Sequence, residues 1–140
     1  MNEVEISGKL TQLNKELSKT NITDFYIYDY ATRPKLVLAG SFDFSYYHDI
    51  EITFYEVSFV SCPGVIFTIE QFRLATEEEV RKLNEITYGY NDTPTICLED
   101  VTFNTRFYIS AGEVDYAWQK VYYYKRDSLK NNERIADWVK

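Results

Sequence analysis

A single histidine is the natural centre for acid–base chemistry, and it stands in the run Tyr46-Tyr47-His48-Asp49. A carboxylate near an imidazole raises its proton affinity, and a tyrosine hydroxyl can give or take a proton. If the sheet curls enough to form a cavity, an enzyme built on this run would use His48 with Tyr46, Tyr47 or a carboxylate such as Glu51 or Glu70, moving a proton on a small apolar substrate. Asp49 is badly placed to hold the His48 ring, because adjacent residues of a strand point to opposite faces. The plainer reading is a hairpin in which Ser, His and Asp act as turn residues, and the sequence favours it.

Other chemistries have less to stand on. Cys62 and Cys97 are 35 positions apart in apolar stretches, where reduced, buried thiols are the expectation. No C-x₂-C or H-x₃-H spacing suggests zinc. Glu99-Asp100 with Asp92 lacks the graded ligand spacing of a calcium loop and reads as solvated acids. There is no G-x-S-x-G, and Cys62 precedes Pro63-Gly64 with no base beside it to lower a thiol pKa. The five glycines, at 8, 40, 64, 89 and 112, never combine into a phosphate loop. No metal and no cofactor is expected.

Charge points toward binding. The net charge of −7 is uneven: residues 1–35 are neutral, 36–105 carry −9 and 106–140 carry +2. Such a body repels phosphate backbones, which disfavours nucleic acid despite the aromatic and basic mixture Val121–Arg126. It attracts cationic surfaces instead. Alternation places Asp43, Asp49, Glu51, Tyr55 and Glu56 on an outward row, carboxylates beside an aromatic anchor, suited to capture of a basic protein. A homo-oligomer formed through exposed tyrosines is the rival. In general character the chain is similar to small acidic bacterial immunity proteins, single-domain α+β modules without catalytic motifs; the likeness is one of composition. The polar, acidic start and the lack of a long apolar run predict a cytoplasmic protein with no membrane span.

These side chains need a frame, and the chain reads as a single α+β domain over residues 1–140. Ile6, Leu10, Leu13 and Leu17 predict a first helix over about 9–19. From Asp24 the period changes to two, and Gly40, midway along a strand, implies a bend or a close neighbour. The apolar phase slips at Tyr55-Glu56 and again at Glu70-Gln71, which predicts two β-bulges in a hairpin turning at Cys62-Pro63-Gly64. Thr76 and Glu79 form a capping box for a helix over 77–86. Strands are expected near 95–99, 106–111 and 116–125, then a C-terminal helix with Ile135, Trp138 and Val139 on one face. The expected architecture is one strongly curved antiparallel sheet of about six to eight strands with N-terminal, middle and C-terminal helices, or else a partly closed β-barrel. Leu38, Phe42, Ile52, Phe54, Phe67, Ile69, Leu98 and Ile109 are expected in the core.

Overall fold

The structure, a computed structural model, describes residues 1–32, 34–87 and 93–140. Arg33 of the expected Arg33-Pro34 turn, and Asn91 and Asp92 of the later loop, lie outside the described residues. Asn2 opens the first helix, α1 (Glu3–Leu17), through a capping box with Glu5. That box satisfies backbone donors a helix start leaves unpaired. The helix starts earlier than the apolar spacing alone predicts, because the cap lies ahead of the first apolar residue.

Ten strands follow: β1 (Asp24–Asp29), β2 (Leu36–Ser41), β3 (Tyr47–Tyr55), β4 (Phe59–Ser61), β5 (Phe67–Thr68), β6 (Gln71–Leu74), β7 (Thr95–Asp100), β8 (Thr105–Ser110), β9 (Glu113–Tyr122) and β10 (Glu133–Ile135). Helix α2 (Glu77–Ile86) lies between β6 and β7 and carries the expected Thr76–Glu79 capping box. The strands form a six-stranded sheet, β10-β9-β3-β2-β1-β5, and a four-stranded sheet, β4-β8-β7-β6. The pairings are antiparallel except β10 on β9. The α+β class stands. The single sheet of six to eight strands with three helices does not: the described residues hold ten strands in two sheets and two helices, with no closure into a barrel.

Both phase slips mark a change of sheet. β3 ends at Tyr55 in the larger sheet, Glu56 turns with φ 53°, and β4 joins the smaller one. β5 pairs with β1, and two residues later β6 pairs with β7. At that crossing the Ile69 amide donates to Thr23 of the larger sheet's side, and the Glu70 amide donates to Glu99 of the smaller sheet. The expected hairpin across Cys62-Pro63-Gly64 is absent, since β4 pairs with β8. A real irregularity lies elsewhere, between His48 and Ile50 on the β3–β9 ladder.

The expected C-terminal helix is replaced by β10, which runs parallel to β9. The Ala136 amide donates to the Tyr122 carbonyl at 2.8 Å, and Trp138 packs against the rings of Tyr28 and Tyr123. A ladder and an aromatic seat satisfy this tail better than a short isolated helix.

One apolar cluster joins α1 to both sheets, with Ile6, Leu10 and Leu13 against Leu38, Ile52, Phe54, Phe72, Leu98 and Ile109. Of the expected core set, Phe42 is the exception: β2 stops at Ser41, and Phe42 is 67% exposed. Gly40 has the close neighbour foreseen for it, because a Cβ there would meet Phe25 Cε1 at 2.5 Å and Ile50 Cγ2 at 2.8 Å.

The smaller sheet ends at β6, where α1 closes the edge. The Asn14 side chain donates to the Phe72 carbonyl at 2.7 Å and accepts from the Phe72 amide at 2.9 Å, taking the place of a further strand. Asn14→Ala is expected to cost about 1–3 kcal/mol, the penalty for stranding partly buried backbone groups. Urea unfolding measures it, and an Asn14→Ala protein as stable as the parent would refute this role.

Candidate functional site

His48 is fully buried. The irregularity on β3 brings it to the same face as Glu51, although a regular strand would point positions 48 and 51 opposite ways. His48 Nε2 lies 2.9 Å from Glu51 Oε2, and Nδ1 lies 2.7 Å from the Tyr123 hydroxyl. With Nε2–H donating to the carboxylate, the neutral ring accepts from Tyr123 at Nδ1. The Tyr123 hydroxyl is also 3.0 Å from that of Tyr26. Arg134 of β10 closes the far end with a fork onto Glu51, Nη1 to Oε1 at 3.1 Å and Nη2 to Oε2 at 2.6 Å. Burial pushes the Glu51 carboxyl up, but hydrogen bonds from His48 and Arg134 and the Arg134 charge prevail and hold it at about 2. Burial pushes the Tyr123 phenol well above its ordinary range, with the Tyr26 hydrogen bond adding to it.

Of the residues proposed for catalysis, the fold joins only His48 and Glu51. Tyr47 lies against Tyr122 and under the Lys120 ammonium, 4.4 Å from the ring centre. Glu70 accepts from the Thr102 amide at 2.8 Å and secures the turn after β7. Asp49 is 3.3 Å from Ser41 Oγ and 3.5 Å from Lys120 Nζ. Three partners were missed: Arg134, Tyr123 and Tyr26. Arg134 is 83 positions from Glu51, and its only signal is the distinctive string ERIADWVK. Tyr28 and Trp138 pack beside the network. The arrangement is a clip fastening the C-terminal strand to the sheet.

A second network lies on the smaller sheet. Arg73 donates to Glu79 at 2.7 Å and to Glu99 at 3.1 Å, Arg106 donates to Glu99 at 2.8 Å, and Tyr108 donates to Glu79 at 2.6 Å. Burial raises the Glu79 carboxyl, but its hydrogen bonds prevail and hold it at about 2. Burial pushes the Cys62 and Cys97 thiols up to about 12, which suits structural cysteines. Among the described residues no group of three or more His, Cys, Asp or Glu could hold a metal ion, and no helix is long and apolar enough to cross a membrane.

No protein-family model, curated protein or solved structure matches the chain.

The acidic row divides. Glu51 is spent on Arg134 and His48, and Asp49 on Lys120 and Ser41. Asp43 is exposed and accepts from the Ser45 amide at 2.9 Å. Tyr55 and Glu56 sit at the far end of β3, where they line a groove of about 390 Å³ with Glu113, Met1, Pro34 and Lys35. Gly112 makes room there, since a Cβ at that position would collide with the Glu56 carboxylate. Among the described residues Glu56 and Glu113 make no ion pair. Glu113 carried no signal in the sequence, because its place beside Tyr55 comes from the β3–β9 register.

The pH dependence of the clip follows from Glu51. Its folded value of about 2 is below the ordinary 4.5, so its contribution is whole above pH 4.5 and fades as pH falls toward 2. Glu51→Gln is expected to lose about 1–3 kcal/mol at neutral pH, the range for bonds to a charged, partly buried group. The gap to the parent should narrow through that acid window. Urea titrations at several pH values test this, and a gap constant with pH would argue against it.

Proposed function

We propose that the chain is a non-catalytic, acidic protein-binding module whose partner is a basic protein. The observation that supports this reading is the Tyr55–Glu56–Glu113 groove, in which two carboxylates that make no ion pair among the described residues stand beside Tyr55, Pro34 and Met1. A lysine or arginine side chain of a partner fits that combination. Its aliphatic stem packs along Tyr55, Pro34 and Met1, and its charged head meets the carboxylates. Lys35 lines the same groove and limits the gain, so affinity rests on burial of the stem as well as on charge. Asp43 adds an exposed charge nearer the other end of β3. The alternative, acid–base catalysis at His48, keeps the close His48–Glu51 contact in its favour. Both ring nitrogens are already engaged, however, and the C-terminal segment packs beside them.

The test immobilises the chain and its Glu56→Gln/Glu113→Gln form and challenges both with native cytosol at low and at physiological salt. A basic protein should be retained by the parent and released as salt rises, because exposed charges are screened over about 8 Å at 0.15 M. The double variant should retain it more weakly, by about 0.2–1 kcal/mol per carboxylate. Recovery of the chain alone, indifferent to salt, would replace this reading with a homo-oligomer.

A further inference from the structure

Phe42 leaves the sheet and enters solvent, although nothing in the fold requires an aromatic side chain there. It lines a groove of about 380 Å³ with Trp118, Asp49, Lys120, Asn21 and Asn132. The Trp118 ring is fixed, because its indole N–H donates to Glu16 at 2.8 Å and Glu16 also accepts from Tyr116. The polar side is fixed as well. Asp49 stands 3.5 Å from Lys120 and 3.3 Å from Ser41 Oγ, and Lys120 is seated over the Tyr47 ring. The groove thus offers two aromatic side chains, an ion pair that already balances its own charge, and two side-chain amides.

That inventory selects a ligand class. A charged ligand would have to break the Asp49–Lys120 pair to gain a partner. A neutral hydroxyl donates to the carboxylate and accepts from the ammonium without displacing either, and the amides of Asn21 and Asn132 also both donate and accept. The aromatic surfaces call for an apolar face on the same molecule. A pyranose ring has both, with axial C–H groups on a face and hydroxyls around its rim. From this we infer that the groove is a site for a neutral sugar, stacked against Phe42 and Trp118 and hydrogen-bonded to Asp49 and Lys120. The site is separate from the acidic groove at Tyr55. Asp49 and Tyr55 are six positions apart on β3, about 20 Å along the strand, so either can fail without the other.

The experiment uses the full chain with Trp138→Phe, which leaves Trp118 as its one tryptophan reporter. Glucose, galactose, mannose and N-acetylglucosamine are titrated, with glucuronate and glucosamine as charged counterparts of the same ring. At least one neutral sugar should change Trp118 emission saturably, and its charged counterpart should bind more weakly. Phe42→Ala and Asp49→Asn should each weaken binding about tenfold or more, the loss of one good contact. Phe42 is exposed, so its variant keeps the fold, which circular dichroism verifies. No saturable change with any sugar, a preference for the charged forms, or affinity unmoved by Phe42→Ala would each overturn the assignment.

Discussion

A carboxylate placed near the middle of a sheet and largely withdrawn from water demands cationic or donating partners, and in this chain Glu51 sets that demand. It is met from two directions, by His48 on its own strand and by Arg134 from a strand more than eighty residues later. Because Arg134 must reach the face of β3, the C-terminal segment lies flat as β10 rather than coiling away. Because His48 must turn toward Glu51, β3 departs from its regular register one residue beyond it. Removing Arg134 would leave the carboxylate desolvated and poorly compensated, a costlier state than having neither partner.

The same principle explains where the charge of the chain goes. The middle of the sequence is strongly acidic and the last quarter slightly basic, and folding brings the two together. Arg134 answers Glu51, Lys120 answers Asp49 and Arg106 answers Glu99, each base from residues 106–140 and each acid from 36–105. Net charge therefore overstates what a partner meets on this part of the surface. The acids left for recognition are those that make no ion pair among the described residues, such as Glu56 and Glu113, and this is why the binding argument rests on their groove rather than on the formal total.

What could be read in the sequence was local. The capping box at Thr76 and Glu79 fixed α2 to the residue, and alternation placed Leu38, Ile52 and Phe54 in the core, because each signal depends only on neighbours along the chain. The slips at Tyr55-Glu56 and Glu70-Gln71 were real, but a slip says only that the buried side changes, and a bulge and a move to another sheet produce the same pattern. Phe42 continued an apolar period past the end of its strand, since hydrophobicity does not report where backbone pairing stops. The clip was half legible: His48 and Glu51 stood out by type, whereas Arg134 and Tyr123 join them through strand order, which no local pattern encodes.

The bond from Asn14 to Phe72 has a consequence for assembly. An edge strand with unpaired amides and carbonyls is a template for further pairing, and here a side chain of the first helix occupies both backbone groups of Phe72 on the β6 edge. The arrangement ties the solubility of the smaller sheet to the docking of α1. While the helix is seated, β6 offers a second molecule little to pair with; once it lifts, the strand becomes a template of the kind that seeds fibrils. Protection of that edge thus falls to the amino-terminal helix, and a cut between that helix and β1 would free the strand it covers.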